Sequence, residues 1–510
     1  MLETTMIHRV HNAIATHPER NALFVDGCFY TYRELGEYVS ATRKELMALG
    51  VKRGDFVGIL VGRDFQSYIF ILSLLSLGAA YVPLNKKNPA DRTAMILKES
   101  NVGLVLSGKP DAMLADVAQL LTGSVTVVVM EKMAKDGEAW MVEDLVETEF
   151  AYLIFTSGST GVPKGVPIKY SNLNAFFHYF LESEKYHFDK DDRFLQMFEL
   201  TFDPSVMAFF MPLCIGACCY IVPEKGVAYI NIAKLLRDHE LTVAVMVPSV
   251  IAYLERFMKE LNLEKLKYSF FCGEGLPERI TEKWSHCVPN GEIVNIYGPT
   301  EATIVCTEYT WLPEVSADEA FNGIVPIGNP MAAVDTYVVD ESGKCVGQGE
   351  KGELCLGGPQ VFDAYWENEE KTTSAFFTVI DGEKTQRVYR TGDICFVNHA
   401  GHLIYCGRLD SQVKIDGYRI ELGDIESHAR DFLDKYAVSV LAIKNKNTET
   451  ELHLFVENLG LLADELQAYL AEKLPLYMCP KHIHDLDVMP INSSGKMDRK
   501  SLRQLVEGEA

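Results

Sequence analysis

The chain has 510 residues, of which 48% are hydrophobic, 10% aromatic and 23% charged, a balance that excludes a disordered or coiled-coil chain. At roughly 150 residues per domain, it holds about three or four structural units. With 48 Lys and Arg against 71 Asp and Glu, its net charge of −23 repels nucleic acid and anionic lipid at long range, so any polyanion must be met by a local site.

The opening residues, MLETTMIHRVHNAI, carry Glu3 and no apolar h-region, unlike a signal peptide. The 12 cysteines contain no CxxC pair and read as reduced, buried thiols, which predicts a cytoplasmic protein. Thr31 and Glu34 form a capping box that opens a helix, and Gly50 closes it. DFVGILV at 55–61 predicts a strand, followed by an apolar helix from about Asp64 and a buried strand, AYVPL. Two uncharged runs, 66–85 and 204–223, reach the ~20 residues of a membrane-spanning helix. Gly78 breaks the first, Pro212 and Gly216 the second, so each predicts a buried helix followed by a short strand, with no membrane insertion.

This β/α alternation runs to about residue 300 and predicts an α/β fold of parallel sheets covered by helices. From about 323 to 407, IVPIGNP, VDTYVVDESG, KGELCLGGP and GHLIYCGR predict a smaller β-rich unit. Mixed elements follow, with helices near 425–435 and 463–473. The boundary is expected near Asp410, dividing an N-terminal core of 1–409 from a small C-terminal unit of 410–510.

The most informative stretch is YLIFTSGSTGVPKGVPI, from Tyr152 to Ile168. An apolar strand runs into a loop bearing Thr156, Ser157, Gly158, Ser159, Thr160, Gly161 and Lys164. Glycines let backbone N–H groups converge on an anion, hydroxyls add donors and the lysine adds charge. It is not a Walker loop, because Gly165 follows Lys164 where Ser or Thr is required.

Further motifs follow in order: NIYGPTE from Asn295, GELCLGG from Gly352, YRTGD from Tyr389, GRLDSQVKIDGYRIE from Gly407 and NSSGKMDRK from Asn492. Together they resemble, over nearly the whole chain, the adenylate-forming superfamily of acyl-CoA synthetases, luciferases and peptide-synthetase adenylation domains. That resemblance implies a large N-terminal domain of parallel-sheet and β-rich subdomains, with a mobile α+β C-terminal domain. It also implies activation of a carboxylate by ATP with Mg²⁺, releasing pyrophosphate and leaving an acyl-adenylate.

On this resemblance, Thr156 to Lys164 hold the β- and γ-phosphates and Thr300 donates to the α-phosphate. Glu301 holds Mg²⁺, a hard cation that favours carboxylate oxygens. Tyr297 stacks on adenine, Gly273 and Glu274 approach its other side, and Asn295 pairs with its amine. Asp393 accepts from the ribose hydroxyls and Arg408 contacts the nucleotide. Lys496 bridges carboxylate and α-phosphate during adenylation. Rotation about Asp410 then brings Gly417-Tyr418-Arg419 into its place, letting an outside thiol reach the carbonyl.

Asp203 is the one acid between Glu199 and Glu224. A buried lone carboxylate is costly unless it meets a cation, and in the family an aspartate here pairs with a substrate ammonium. It also precedes Pro204 as a helix N-cap would. Met207, Cys272, Ile296, Ile304 and Val305 complete an apolar pocket that admits a small side chain. FDPSVM, FFCGE and YGPTEAT resemble most the D-alanine:D-alanyl carrier protein ligases, and INSSGKMDRK the peptide-synthetase domains. The expected substrate is therefore a small amino acid, D-alanine foremost, with L-Ala, Gly, Ser or an acyl-CoA synthetase reaction as alternatives. The expected acceptor is the phosphopantetheine thiol of a separate carrier protein, since no carrier motif follows Lys500.

Overall fold

In the computed structural model, which describes residues 5–122, 124–137, 140–143, 149–156, 162–382, 384–409, 412–433, 438–445, 449–490 and 497–507, local signals open the helices as expected. The Thr31 hydroxyl accepts from the Glu34 backbone and the Glu34 carboxylate accepts from the Thr31 backbone, so the capping box heads the helix Tyr32–Ala48. Such a cap is worth about 1 kcal/mol. Asp64 likewise accepts from Ser67 at the head of Phe65–Ser76.

Both long uncharged runs resolve into helix plus strand. Phe65–Ser76 leads to Ala80–Asn85, and Pro204–Ile215 leads to Cys218–Ile221 through Gly216, whose φ of +81° ends the helix. Both helices are buried nearly all round, which is why they are apolar on every face. No described helix is long and apolar enough to cross a membrane.

The described strands form five sheets. One has six strands in the order Thr126–Val129, Leu104–Ser107, Phe56–Val61, Ala80–Asn85, Phe150–Thr156 and Lys164–Lys169, parallel except for the last pair. A nine-stranded sheet has a parallel centre that includes Val243–Met246, Tyr268–Phe271 and Glu292–Tyr297. One continuous apolar cluster packs these two sheets and the helices between them. The expected β-rich unit is a five-stranded antiparallel sheet built from Asp335–Val339 to Leu403–Arg408.

After residue 412 come a hairpin, Gln412–Ile415 with Tyr418–Glu421, and a three-stranded sheet of Val438–Lys444, Thr450–Glu457 and His482–Leu486. The helices Leu422–Leu433 and Ala463–Lys473 close a separate apolar cluster there around Ile425, Leu454 and Leu466. The first of these begins earlier than expected because the hairpin's second strand runs directly into it. Asp410, the expected pivot, lies outside the described residues.

Candidate functional site

The hairpin sets Lys414 directly opposite Arg419, and Gln412 opposite Glu421. Like charges facing each other across a ladder repel, so this pair is tolerable only where anions meet it. The Arg419 guanidinium donates from Nη1 to Glu301 Oε2 at 2.7 Å and from Nε to Gln412 Oε1 at 2.8 Å. The Lys414 ammonium lies 5.6 Å from the Tyr297 ring centroid. Burial pulls its pKa down, against the charge of Asp393.

Glu301 stands in a short 3₁₀ turn, Thr300–Ala302, and is fully buried. Its Oε1 receives Lys164 Nζ at 3.1 Å and the Tyr365 hydroxyl at 2.8 Å, while Arg419 takes Oε2. Burial would raise this carboxyl, but Arg419 and Lys164 outweigh it and hold Glu301 well below the usual carboxylate range. The expected Mg²⁺ ligand is thus already neutralised by two cations, and in this arrangement Glu301 does not fit a metal ion. Lys164 stands opposite Thr156 where Phe150–Thr156 and Lys164–Lys169 pair, so both flank the mouth of the expected phosphate loop. Ser157, Gly158, Ser159, Thr160 and Gly161 lie outside the described residues, as does Lys496.

The residues expected to hold a nucleoside bind one another. The Tyr297 hydroxyl donates to Asp393 Oδ2, and Arg408 Nη1 reaches Asp393 Oδ1 at 2.7 Å. Arg408 is buried with its partner, not a surface ion pair. Asn295 spends its amide nitrogen on the Pro326 carbonyl at 2.8 Å. Gly273 has φ +88°, and a side chain built there would lie 3.6 Å from Gly417 Cα. The neighbouring Glu274 accepts from the Gly417 N–H at 2.9 Å and from Ser249 N at 3.1 Å. Gly273 and Glu274 therefore grip the hairpin turn in this arrangement.

Asp203 precedes Pro204 at the helix start, but its side chain makes no capping bond. Its Oδ2 is buried without a partner among the described residues, as are Thr156 Oγ1 and Thr201 Oγ1. All three residues line one cavity of about 80 Å³, together with Thr300 and Arg419. Buried polar atoms are nearly always paired, so three orphans around one space mark a site for a polar ligand. Burial pushes the Asp203 carboxyl up to about 7, against the Thr300 hydroxyl, which lowers it. The cavity continues past Asn88 and Arg92 to Tyr477, at the seam with the C-terminal unit.

Met207, Cys272, Ile296, Ile304 and Val305 are all buried, but in the main apolar cluster and not on this cavity. Cys272 alone responds to Asp203: burial, then the Asp203 charge, pushes its thiol up to about 12. The apolar side chains close on one another, which is the packing that hydrophobic contact favours. Thr303 and Ile304 have φ of +56° and +74°. Left-handed backbone at two β-branched residues is strained, and such strain concentrates at functional sites.

Residue reasoning missed Lys414 and Tyr365. The signal for Lys414 was present: period-two alternation in QVKI and YRIE places two cations on one face of a hairpin. Tyr365 had none, because its link to Glu301 spans 64 residues.

A family described as AMP-binding enzyme matches residues 10–366. The chain is 32% identical over 495 residues to bacitracin synthase 1 of Bacillus licheniformis, covering 95% of this chain and 9% of that protein. Against gramicidin S synthase 1 of Brevibacillus brevis it is 32% identical over 510 residues, covering 97% and 44%. The chain thus spans less than half the length of either relative. Among solved structures it is similar to the Vibrio cholerae adenylation domain AlmE in complex with glycyl-adenosine-5'-phosphate, at TM-score 0.83 and 27% identity over 99% of this chain and 98% of that one. An artificially fused adenylation–PCP di-domain from Klebsiella oxytoca shares the fold, at TM-score 0.81 and 24% identity over 94% and 93%.

Proposed function

The chain belongs to the AMP-binding enzyme family, and from that premise we propose that it activates a small amino acid as aminoacyl-AMP, with release of pyrophosphate. The observation that carries the amino-acid reading is the unpartnered Asp203 carboxylate oxygen on a cavity shared with Thr156 and Thr300. A substrate ammonium there satisfies the orphan, while a fatty or aryl acid leaves it buried and unpaired. D-alanine is the favoured substrate, with glycine next; the similar domain from Vibrio cholerae was solved with a glycyl adenylate.

The chemistry is attack of the substrate carboxylate on the α-phosphorus of ATP, forming the acyl–oxygen–phosphorus link and breaking the bond to pyrophosphate. Two anions must meet, so cations aligned on the developing charge do more than a general base. Lys164, Thr156 and the loop 157–161 receive the terminal phosphates, Thr300 the α-phosphate, and Lys496 the reacting centre. Asp393 accepts from the ribose once Tyr297 releases it to stack on adenine, with Arg408 beside it. Asn295 Oδ1 accepts from the adenine amine.

The second half-reaction passes the aminoacyl group to a phosphopantetheine thiol on a carrier protein. The thiol attacks the carbonyl carbon, a thioester forms and AMP leaves. The passage from Tyr477 and Arg92 to Asp203 gives the arm a route beside the docked hairpin. Asp410 is the proposed pivot between the two arrangements.

ATP–pyrophosphate exchange screened over D- and L-amino acids, with simple carboxylic acids as controls, tests this reading. Exchange is expected with D-alanine or another small amino acid. Exchange driven only by acids lacking an ammonium overturns it in favour of an acyl-CoA synthetase.

A further inference from the structure

We propose that Glu451, His453 and His482, on two neighbouring strands of the C-terminal sheet, form a binding site for a late first-row divalent ion of the Zn²⁺ class. Nothing in the adenylation reading uses these residues.

Strands Thr450–Glu457 and His482–Leu486 pair in parallel, with His453 opposite His482 and Phe455 opposite His484. Because successive side chains alternate between faces, Glu451, His453, His482 and His484 all stand on one face. One ligand atom from each of Glu451, His453 and His482 lies within 4.8 Å of the other two. A tetrahedral zinc with bonds near 2.0–2.2 Å needs its ligand atoms roughly 3.3–3.6 Å apart. The His482 Nε2 to Glu451 Oε2 separation, 3.1 Å, is already that short. His482, whose side chain is 46% exposed, is free to turn and adjust the geometry.

The surrounding contacts orient the ligands. Glu451 Oε1 is held by Asn445 Nδ2 at 3.1 Å and Lys481 Nζ at 3.0 Å, which presents Oε2 to the imidazoles. His453 Nδ1 and His484 Nε2 are hydrogen-bonded at 2.9 Å. Metal-bound histidines use their second ring nitrogen in this way, which fixes the ring and its tautomer. His453 then offers Nε2. Two imidazoles and one carboxylate suit zinc, nickel or copper better than magnesium or calcium, which prefer oxygen. Lys481 and Arg503 are opposing charges nearby, and the Lys481 side chain is 64% exposed and able to swing away.

The ion would tie the strand His482–Leu486 to its neighbour on the face that also carries Phe455, Met489, Met497 and Leu502. Its expected role is to hold this part of the C-terminal unit together.

The test uses the full chain without a histidine tag, stripped with a chelator and titrated with Zn²⁺ against a chromophoric competitor. The wild-type chain is expected to bind one more equivalent than His482→Ala or Glu451→Gln, each of which should weaken that site by ~100-fold or more. His484→Ala, a positioning change, should weaken it about 10- to 100-fold, the range for outer-shell partners. Co²⁺ in the same site should give visible d–d bands without thiolate charge transfer. Zinc should raise the thermal midpoint of the wild type and not of His482→Ala. Equal stoichiometry and affinity in wild type and His482→Ala, or a thiolate spectrum from the 12 cysteines, overturns the proposal. A circular-dichroism spectrum of the half-exposed His482→Ala that matches wild type separates lost binding from lost folding.

Discussion

Tyr297 donates its hydroxyl to Asp393, although 96 residues separate them. The bond joins the residue assigned to adenine with the residue assigned to ribose, so on the proposed reading nucleotide competes with it. A hydrogen bond to a charged group is worth about 1.5–3 kcal/mol. Tyr297→Phe keeps the ring and removes the competitor, so ATP should bind about 10-fold more tightly by calorimetry. Asp393→Ala should weaken ATP binding instead. A weaker Tyr297→Phe complex would show that the hydroxyl contacts nucleotide.

Asp203 couples binding and stability to pH. Its carboxyl is pushed up to about 7 by burial, while an unfolded aspartate titrates near 3.9. Folding therefore takes up a proton between these values, and stability is highest below about 4 and falls as pH rises through about 7. The full loss is up to about 4 kcal/mol, from the three-unit difference. Asp203→Asn should abolish that slope in denaturant melts at pH 5 and 8, and raise the amino-acid KM by ~100-fold or more with ATP binding nearly unchanged. In the wild type, the amino-acid KM should climb as pH drops below about 7, because the protonated carboxyl no longer pairs with an ammonium.

Gly417 has φ +81°, and an added Cβ would lie 2.7 Å from Val247 Cγ1. A side chain in left-handed backbone costs about 1–2 kcal/mol before that clash is counted. Gly417→Ala should therefore undock the hairpin and slow carrier loading about 10-fold or more, while pyrophosphate exchange persists. Loss of both activities together would place the hairpin in the first half-reaction as well.

Lys496 and Asp410 give complementary tests of the two-arrangement reading. Lys496→Ala should cut adenylate formation by ~100-fold or more, since it removes charge at the reacting centre. The same variant, supplied with preformed aminoacyl-adenylate, should load carrier normally. Asp410→Pro, with φ fixed, should trap one arrangement and spare adenylation at the expense of transfer. Equal loss of both half-reactions in both variants, measured by exchange and single-turnover loading, would remove the pivot.

Cys272 is buried beside the charge of Asp203. Cys272 does not line the cavity in this structure, so Cys272→Ala changes the D-over-L ratio and the use of serine only where the bound substrate reaches past Asp203 toward it. There the ratio should fall and serine use improve. The shift should be partial, because a methylene-sized change is worth about 1–3 kcal/mol. Identical ratios in exchange assays would place Cys272 outside the pocket.

Where local chemistry decides, this protein is legible in its residues. Thr31 and Glu34 cap a helix by themselves, Asp64 caps another, and Gly216 ends a third, because each effect spans only a turn. The ordered motifs likewise mark the strand ends that carry Thr156 and Tyr297 and the turn that carries Thr300, and they identify the family before any folding is considered. The antiparallel β-rich stretch follows from its strands and turns for the same reason, although its sheet begins at Asp335 and not near 323.

The partnerships inside the site are another matter. Arg419 meets Glu301 across 118 residues, and Tyr365 meets it across 64. Tyr297 is turned onto Asp393, and the expected apolar pocket closes into the core. None of these follows from spacing, since each depends on how separate sheets and the hairpin dock. The same holds for the Asp203 carboxyl: sequence marks it as a lone acid, but its raised pKa is set by how many atoms surround it and how few donors reach it. Desolvation and ion pairing act through space between elements far apart in the chain, so only the tertiary structure decides which charge is neutralised and which is left to bind.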